Sequence, residues 1–139
     1  MRGIKFRGKR TDNGEWVYGN LITPTFDNSD NIFGYYIHEI NKTNYFTTRD
    51  NGLENFYEIQ LFRIDPETVG QYTGLKDKNG IRIYECDIVK HGRELDYIDI
   101  VEYGNCCFYT SLSSDWLSDC ENIEVIGNIY ENQELLEDK

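Results

Sequence analysis

The sequence predicts a mainly β protein built from antiparallel hairpins. Its 139 residues include no alanine, the best helix former, while aromatic residues make up 14% of the chain, with 11 tyrosines. Polar turn segments separate short apolar runs. A chain of this length can bury about two-thirds of its unfolded surface in one core. We expect one domain over residues 1–139, with a subdivision near 65–74 between N-terminal hairpins in 1–64 and a barrel-like part in 70–139.

The first hairpin is predicted from turn chemistry. An Asn-Gly pair at 13–14 lies between two strand-like runs, and this dipeptide favours hairpin turns because both residues tolerate positive φ. In the second strand we expect Trp16 and Tyr18 on one face, with Val17 and Leu21 on the other.

The next part of the chain gives weaker signals. Residues 24–31 are polar and indicate a loop, whereas "IFGYYIHEI" and "NYFTTRD" indicate two strands joined by a turn at 41–44. Residues 52–64 fit either a helical face or, from Phe56 onwards, an extended strand. Pro66 is expected to end that element, because the residue before a proline avoids the α region.

The C-terminal half alternates turns and strands. "DKNG" at 77–80 predicts a tight turn before a strand that begins at Ile81. "DYIDIVEYGNCCFYTSLSSDW" predicts two strands joined by a type II′ turn at Gly104 and Asn105, in which Gly104 comes first. A last strand is expected around 123–129, followed by a short helix capped by Asn132.

Charge is unevenly distributed along the sequence. The formal net charge is −11 and the pI is about 4.5, which argues against binding of nucleic acid through its phosphates. The first ten residues nevertheless contain five basic and no acidic residues, whereas residues 94–138 contain twelve acidic and no basic ones. This polarity is explained either by contact between the two regions, within one chain or between copies, or by a solvated acidic face.

Hydropathy along the sequence predicts a protein of the cytoplasm, that of the bacterial host. The sequence has no apolar run long enough to cross a bilayer and no signal-peptide core at its beginning, so we expect no membrane association. The four cysteines are then expected to be reduced. Cys106 and Cys107 would point to opposite faces of a strand, and no C-x-x-C pair occurs, so neither a metal site nor a cofactor is predicted.

Few residues are suited to catalysis. His38 lies in a strand pattern and is expected to be packed or half-exposed, while His91 is expected to be an exposed loop residue, with contact to a ligand as the alternative. A thiol and base pair of Cys86 and His91 is conceivable but disfavoured. We predict no catalytic residue and no enzymatic activity.

Acidic residues at 96, 99 and 102 would form one face of a helix. The β-branched residues among them favour a strand, which places Asp99 opposite Asp96 and Glu102. These carboxylates are therefore expected to be solvated edge residues rather than a metal site.

Aromatic side chains exceed the needs of one small core. They either cover a thin β core or, as we favour, form in part a binding or self-association surface. The residues concerned are Tyr35, Tyr36, Tyr45, Phe46, Phe56, Tyr57 and Tyr72. The predicted residues of a ligand or partner site are Tyr35, Tyr36, Tyr72, Arg2, Arg7 and His91.

Three long blocks resemble the YopX family, small proteins encoded by phages and prophages of Gram-positive bacteria. The blocks are "IKFRGKRTDNGEWVYGNLI", "DPETVGQYTGLKDKNGIRIYECDIVK" and "IEVIGNIYENQELL". The resemblance implies an SH3-like barrel element in a β-rich protein and an accessory role in a phage, with undefined biochemistry. Two positions differ from the usual family pattern: Gln133 replaces a proline and Cys86 replaces a glycine. If position 86 requires a positive φ, cysteine there costs about 1 kcal/mol or more. If it requires only a small side chain, the substitution costs little.

The resulting prediction is a binding module that holds a host or phage protein, with homo-oligomerisation as a further expectation. One alternative is a protein that sequesters a nucleotide-like small molecule between subunits, with aromatic rings on the base and Arg2, Arg7, Lys9 or Arg10 on the phosphates. Another is an acidic mimic of nucleic acid that occupies the DNA site of a host enzyme.

Overall fold

The structure, a computed structural model, describes residues 4–23, 34–39 and 61–137. It is mainly antiparallel β and includes a half-barrel, which confirms the predicted fold class. The chain divides into an N-terminal unit, Lys5–Val69, and a C-terminal unit, Gly70–Lys139, to which Ile4 also belongs. The predicted loop at 24–31, the strand "NYFTTRD" with its turn at 41–44, and the first part of the 52–64 segment lie outside the described residues.

The N-terminal unit is an antiparallel sheet in the order β4-β3-β2-β1. Its strands are β1 (Phe6–Lys9), β2 (Trp16–Ile22), β3 (Tyr35–Glu39) and β4 (Leu61–Ile64). The end of the 52–64 segment is thus an extended strand, which agrees with one of the two predicted alternatives. In the part of the chain that the structure describes, no helix has the length and apolar character needed to cross a membrane.

The first hairpin is confirmed, but its turn is longer than a two-residue Asn-Gly turn. Lys9 pairs with Trp16, which leaves residues 10–15 to make the connection. Only Gly14 has a positive φ there, 71°. The Asn13 side chain instead accepts a hydrogen bond from Glu15 N at 3.0 Å. Asn therefore contributes a side-chain acceptor to this turn and not a left-handed backbone.

Strand alternation places the core of this unit on one side of the sheet. Val17 is 4% exposed, whereas its neighbour Tyr18 is 41% exposed. The core consists of Val17, Ile37, Phe62 and Ile64, with Phe6, Leu21, Tyr35 and Val69 packed against it. The predicted faces of β2 are therefore confirmed. Gly19 allows β3 to approach closely, because a Cβ at this position would overlap the carbonyl oxygen of His38.

The two outer strands of the sheet, β1 and β4, meet where each strand ends. Thr11 N donates to Arg63 O at 3.1 Å, and Asp65 N donates to Lys9 O at 2.9 Å. Thr68, in a 3₁₀ helix at Pro66–Thr68, accepts a hydrogen bond from Lys9 N at 2.9 Å. The sheet therefore curls until its edges touch. Pro66 follows β4 directly after Asp65 and ends it, as predicted.

The C-terminal unit contains six strands and one short helix. The strands are β5 (Gly70–Lys76), β6 (Arg82–Tyr84), β7 (Asp87–His91), β8 (Tyr97–Gly104), β9 (Cys107–Thr110) and β10 (Glu124–Asn128), and the helix is α1 (Glu134–Glu137). Strands β5 and β6 form a hairpin, while the others form a sheet in the order β10-β7-β8-β9. Ile83, Val89, Val101 and Leu117 form its core.

Two local predictions in this unit are wrong. The turn between β8 and β9 has Asn105 (φ 49°) and Cys106 (φ 64°) at its centre, because Gly104 still pairs with Cys107. Two positive φ values are typical of a type I′ turn rather than the type II′ turn predicted. The side chain of Asn132 does not cap α1; its oxygen accepts a hydrogen bond from Asn128 N at 3.2 Å.

The predicted turn at 77–80 is confirmed, and the carboxylate of Asp77 organises it. Asp77 is 6% exposed, and its Oδ1 accepts hydrogen bonds from Asn79 N at 2.8 Å and Ile81 N at 2.9 Å. Its Oδ2 accepts a third, at 3.0 Å, from Val125 N in β10. One buried carboxylate therefore closes the turn and attaches it to a distant strand.

Asp87 and Asp99 act in the same way. Asp87 Oδ2 accepts a hydrogen bond from Tyr84 N at 2.8 Å and fixes the turn between β6 and β7. Asp99 accepts from Leu112 N at 2.7 Å and from N and Oγ of Ser113 at 3.1 and 2.7 Å, which ties the loop after β9 to β8. The prediction of a solvated Asp99 is wrong: it is 1% exposed, because protein donors replace water.

These hydrogen bonds favour the ionised carboxylates. Burial by itself raises the pKa of Asp77 and of Asp99. The hydrogen-bond donors around each group outweigh burial, so the pKa of both carboxyls lies below its ordinary value. Since the folded-state pKa is the lower one, each group stabilises the fold above the unfolded-state pKa of about 4 and loses this contribution as the pH falls through the folded-state value.

We expect Asp77→Asn to lower the free energy of unfolding by about 1–3 kcal/mol at neutral pH, because an amide cannot accept all three hydrogen bonds. The loss of stability between neutral pH and about pH 3 should become shallower in the variant. Urea unfolding across this range measures both effects. The matched control is Asp96→Asn, whose exposed carboxylate lies 3.6 Å from Lys90 Nζ and should contribute little. Equal acid sensitivity of wild type and Asp77→Asn would contradict the role assigned to Asp77.

Cys86 has a left-handed backbone. Its φ is 66°, so this position requires positive φ and not merely a small side chain. The backbone here is fixed from two sides, since Cys86 N donates to Val101 O at 2.8 Å and Ile129 N donates to Cys86 O at 3.0 Å. A residue with a Cβ in this conformation is strained by about 1–2 kcal/mol.

We therefore expect Cys86→Gly to raise the free energy of unfolding by about 0.5–1 kcal/mol. Relief of the strain exceeds the extra entropy that glycine adds to the unfolded chain, about 0.4–1 kcal/mol. Denaturant unfolding measures the change. Cys107→Gly, in strand β9, is the matched control and should destabilise the protein. A loss of stability in Cys86→Gly would show that side-chain packing outweighs backbone strain.

Candidate functional site

The residues predicted to bind a ligand or partner are divided between the two units. Arg7, Tyr35 and Tyr36 lie in the N-terminal unit, and Tyr72 and His91 in the C-terminal unit. Arg2 lies outside the described residues.

Two of these side chains contact neighbouring side chains of their own unit. Arg7 is 6% exposed, and its guanidinium carbon lies 4.7 Å from the centre of the Trp16 ring. The half-buried Tyr72 packs against Tyr84, with ring centres 5.4 Å apart, and Arg82 lies over it at 5.8 Å. Both sets of contacts hold side chains in place on the surface of a strand.

His91 is a buried strand residue, so the prediction of an exposed loop histidine is wrong. It ends β7 and is 4% exposed. Its Nε2 lies 3.3 Å from Asp99 Oδ2, and its ring centre is 5.9 Å from that of Tyr97. Ser113 Oγ donates to Asp99 rather than to the imidazole. The Asp99 carboxylate is thus the group that both His91 and Ser113 contact. Its hydrogen bonds hold the loop at 111–113 on the sheet.

Cys86 and His91 do not form a thiol and base pair. They flank β7, one immediately before this five-residue strand and the other at its last position. At about 3.3 Å per residue their Cα atoms are roughly 16 Å apart, far beyond hydrogen-bond distance. Among residues 4–23, 34–39 and 61–137, no group of three or more His, Cys, Asp or Glu side chains is arranged to hold a metal ion.

A basic cavity, here called the N-terminal pocket, opens where β1 and β4 meet. Its volume is about 780 Å³, and its lining includes Lys9, Arg10, Gly34, Tyr35, Arg63 and Asp65. Three of these residues are cations. Tyr35 is the predicted site residue that the structure places here, together with Lys9 and Arg10, two of the cations considered for phosphate binding.

A second cavity, here called the aromatic groove, lies in the C-terminal unit. Its volume is about 570 Å³, and its lining includes Thr73, Leu75, Tyr103, Cys107, Phe108 and Trp116. The strand β5, the β8–β9 hairpin and the segment at 116–118 supply these residues. Trp116 is held by a bridge to Tyr109 at the free side of β9.

Large apolar side chains in the aromatic groove are open to solvent. Trp116 is 64% exposed, Tyr103 55% and Leu75 38%. Tyr103 packs against Phe108 with ring centres 4.9 Å apart, which fixes one wall of the groove. Leu117, next to Trp116, is 2% exposed and anchors the segment in the core. The groove therefore presents exposed aromatic rings next to a buried leucine.

Sequence reasoning missed most residues of both cavities. Arg63 was not predicted as a site residue because it lies in the segment at 52–64, whose pattern fits both a helix and a strand. Trp116 ends the stretch predicted to form the two strands joined at Gly104, where no role was assigned to it, and Leu75 precedes it by some forty positions. An excess of aromatic residues was a detectable signal, but only the strand order brings Leu75, Tyr103 and Trp116 to one surface.

Comparison with known proteins shows to which family the chain belongs. A model of the YopX protein family matches residues 5–137. The crystal structure of protein EF1440 from Enterococcus faecalis is similar, with 27% sequence identity and a TM-score of 0.61 over 98% of this chain and 99% of that chain. No curated protein matches the chain. Since the family match covers nearly the whole length, the chain belongs to the YopX family.

Proposed function

We propose that this protein is a non-enzymatic binding module of a phage or prophage that holds a host or phage protein in the aromatic groove. The observation that carries the proposal is the exposure of Trp116, Tyr103 and Leu75 around one cavity of about 570 Å³. Tyrosine and tryptophan are enriched among the residues that dominate binding energies at protein interfaces. Exposed apolar patches of this kind usually mark binding surfaces.

The charges around the groove define the chemistry of the partner. Asp115 and Asp119 flank the Trp116 segment, and both are exposed. Neither forms an ion pair within the described parts of the chain. Glu102 lies next to Tyr103 and accepts a hydrogen bond from Tyr109 OH at 3.0 Å. The partner is accordingly a protein segment with an apolar anchor for the groove and lysine or arginine side chains beside it.

This arrangement also accounts for the acidic C-terminal region. The carboxylates would steer a basic partner towards the groove and oppose acidic proteins, while the aromatic rings would supply most of the affinity. A pure mimic of nucleic acid requires an acidic surface but no exposed tryptophan. The aromatic groove therefore favours a protein segment with both apolar and basic side chains over simple imitation of a phosphate backbone.

We expect a photo-reactive amino acid at Leu75, introduced in the bacterial host, to crosslink a distinct protein with a basic segment. The same amino acid at Leu95, which is 68% exposed in the β7–β8 loop, is the control and should not crosslink that protein. Mass spectrometry identifies the product. A crosslinked homodimer, or the same products from both positions, would contradict the proposed partner.

Binding of the purified partner then tests the energetics. We expect Trp116→Ala to raise the dissociation constant by about 30-fold or more, because tryptophan is enriched among the interface residues whose truncation costs about 2 kcal/mol or more. Asp115→Asn with Asp119→Asn should slow association and reduce its salt dependence. Isothermal titration calorimetry and stopped-flow kinetics measure these effects. Unchanged affinity in a folded Trp116→Ala variant would exclude the groove as the binding site.

A further inference from the structure

We propose that Glu102, Tyr109 and Trp116 recognise an arginine side chain of the partner, with the guanidinium on the carboxylate and the aliphatic stem across the two rings. These three residues are here called the arginine row. The proposal rests on the proposed function, in which a partner with basic side chains occupies the aromatic groove, and it names the basic residue and its position. Strand register, exposure and charge within the C-terminal unit support this assignment.

Strand pairing places the side chains of the arginine row on one face of the sheet. Glu102 in β8 is opposite Tyr109 in β9, and Tyr109 forms a bridge to Trp116 on the other side of β9. Residues that pair across neighbouring strands project to the same face. Neighbouring strands are about 4.8 Å apart, so the row extends over roughly 10 Å and a long side chain can contact all three residues. Trp116 also lines the aromatic groove, so the row begins at the edge of the groove.

Tyr109 is held in the middle of the arginine row by two contacts. Its hydroxyl donates a hydrogen bond to Glu102 Oε2 at 3.0 Å. Its ring lies over Gly104, where an added Cβ would come within 3.2 Å of Tyr109 Cε1. The hydrogen bond to the carboxylate is the main reason why the pKa of Tyr109 is raised, so the hydroxyl remains a donor at neutral pH. The carboxylate and the ring are therefore positioned before an arginine binds, which lowers the cost of ordering them.

The carboxylate of Glu102 has no cation partner within the described parts of the chain. Glu102 is exposed, and the hydrogen bond from Tyr109 leaves acceptor positions on both oxygens. Lys90, on the same face of the sheet in β7, is paired instead with Asp96 at 3.6 Å. Asp115, next to Trp116, is exposed and adds a second negative charge. The row therefore offers a carboxylate and aromatic surface to a cation from outside the chain.

This combination suits arginine better than lysine. A guanidinium can donate two hydrogen bonds to one carboxylate and stack its flat face on an aromatic ring, whereas an ammonium is a strongly hydrated point charge. Tryptophan attracts cations more strongly than the other aromatic rings, and Trp116 is 64% exposed. The stem of an arginine can cover apolar ring surface while its charged head stays at Glu102. An arginine near the apolar anchor of the partner would contact the row while the anchor enters the groove.

Short peptides with blocked ends test the arginine row without the partner. The probes are acetyl-Gly-Arg-Gly-amide, its lysine counterpart and its citrulline counterpart, in which a neutral urea group replaces the guanidinium. NMR titration of ¹⁵N-labelled protein follows the indole N–H signals of the two tryptophans. We expect the arginine peptide to shift the signal of Trp116 and not that of Trp16 in the N-terminal unit. It should bind at least about fivefold more tightly than the citrulline peptide, and more tightly than the lysine peptide.

A charge-removing variant and its matched control test the role of the carboxylate. Glu102→Gln should abolish the advantage of the arginine peptide over the citrulline peptide, because an amide cannot form the charge-assisted hydrogen bonds. Glu94→Gln removes the same charge from the exposed β7–β8 loop and should keep this advantage within about twofold of wild type. Thermal unfolding without peptide confirms that each variant is folded before titration.

Three outcomes would overturn the arginine row. They are equal affinity for the arginine and citrulline peptides, no shift of the Trp116 signal at millimolar arginine peptide, and equal losses in Glu102→Gln and Glu94→Gln. The last outcome would reveal only an effect of net charge. Since the peptides need no partner, their failure leaves the crosslinking result at Leu75 unchanged. Failure of that crosslink, with selectivity for arginine intact, would instead exclude the proposed protein partner and retain the arginine row.

Discussion

The C-terminal unit depends on buried aspartate carboxylates that replace water as acceptors for backbone N–H groups. Asp77, Asp87 and Asp99 are each no more than 6% exposed, yet each accepts hydrogen bonds from turns or loops. A small β unit has many turns and little apolar volume, so unpaired N–H groups would be costly. The carboxylates accept hydrogen bonds from these N–H groups. In doing so they fix the loops that support the aromatic groove.

The two cavities differ in the chemistry of the side chains around them. Where β1 and β4 meet, backbone hydrogen bonds hold Arg63 and Tyr35 beside an open space. Beside β9, a bridge and a buried leucine hold Trp116 in solvent. In both places, backbone hydrogen bonds fix the strand or segment, and the side chains at the cavity remain available for binding. This distribution is typical of a scaffold whose surface carries the function.

Turn chemistry and strand alternation were sufficient to predict the fold class, the first hairpin and the 77–80 turn. They failed where a residue depends on a distant segment. His91 was predicted to lie in an exposed loop, whereas it ends strand β7. Asp99 was predicted to be solvated because strand periodicity assigns a face but does not reveal that the loop at 111–113 covers this residue. The candidate sites were predictable only as an excess of aromatic and N-terminal basic residues. Their grouping follows from long-range strand pairing, which local patterns do not encode.

The hydrogen bond between Lys9 and Thr68 has a consequence for synthesis of the chain. It joins residues 59 positions apart, and the Asp77 to Val125 bond joins residues 48 positions apart. On the ribosome, the edges of the N-terminal sheet cannot meet until Thr68 has emerged, and the 77–80 turn lacks its distant partner until β10 is made. The hairpin of β1 and β2 joins neighbouring strands and can form much earlier. Folding is thus expected to proceed from local hairpins to two late closures, one for each unit.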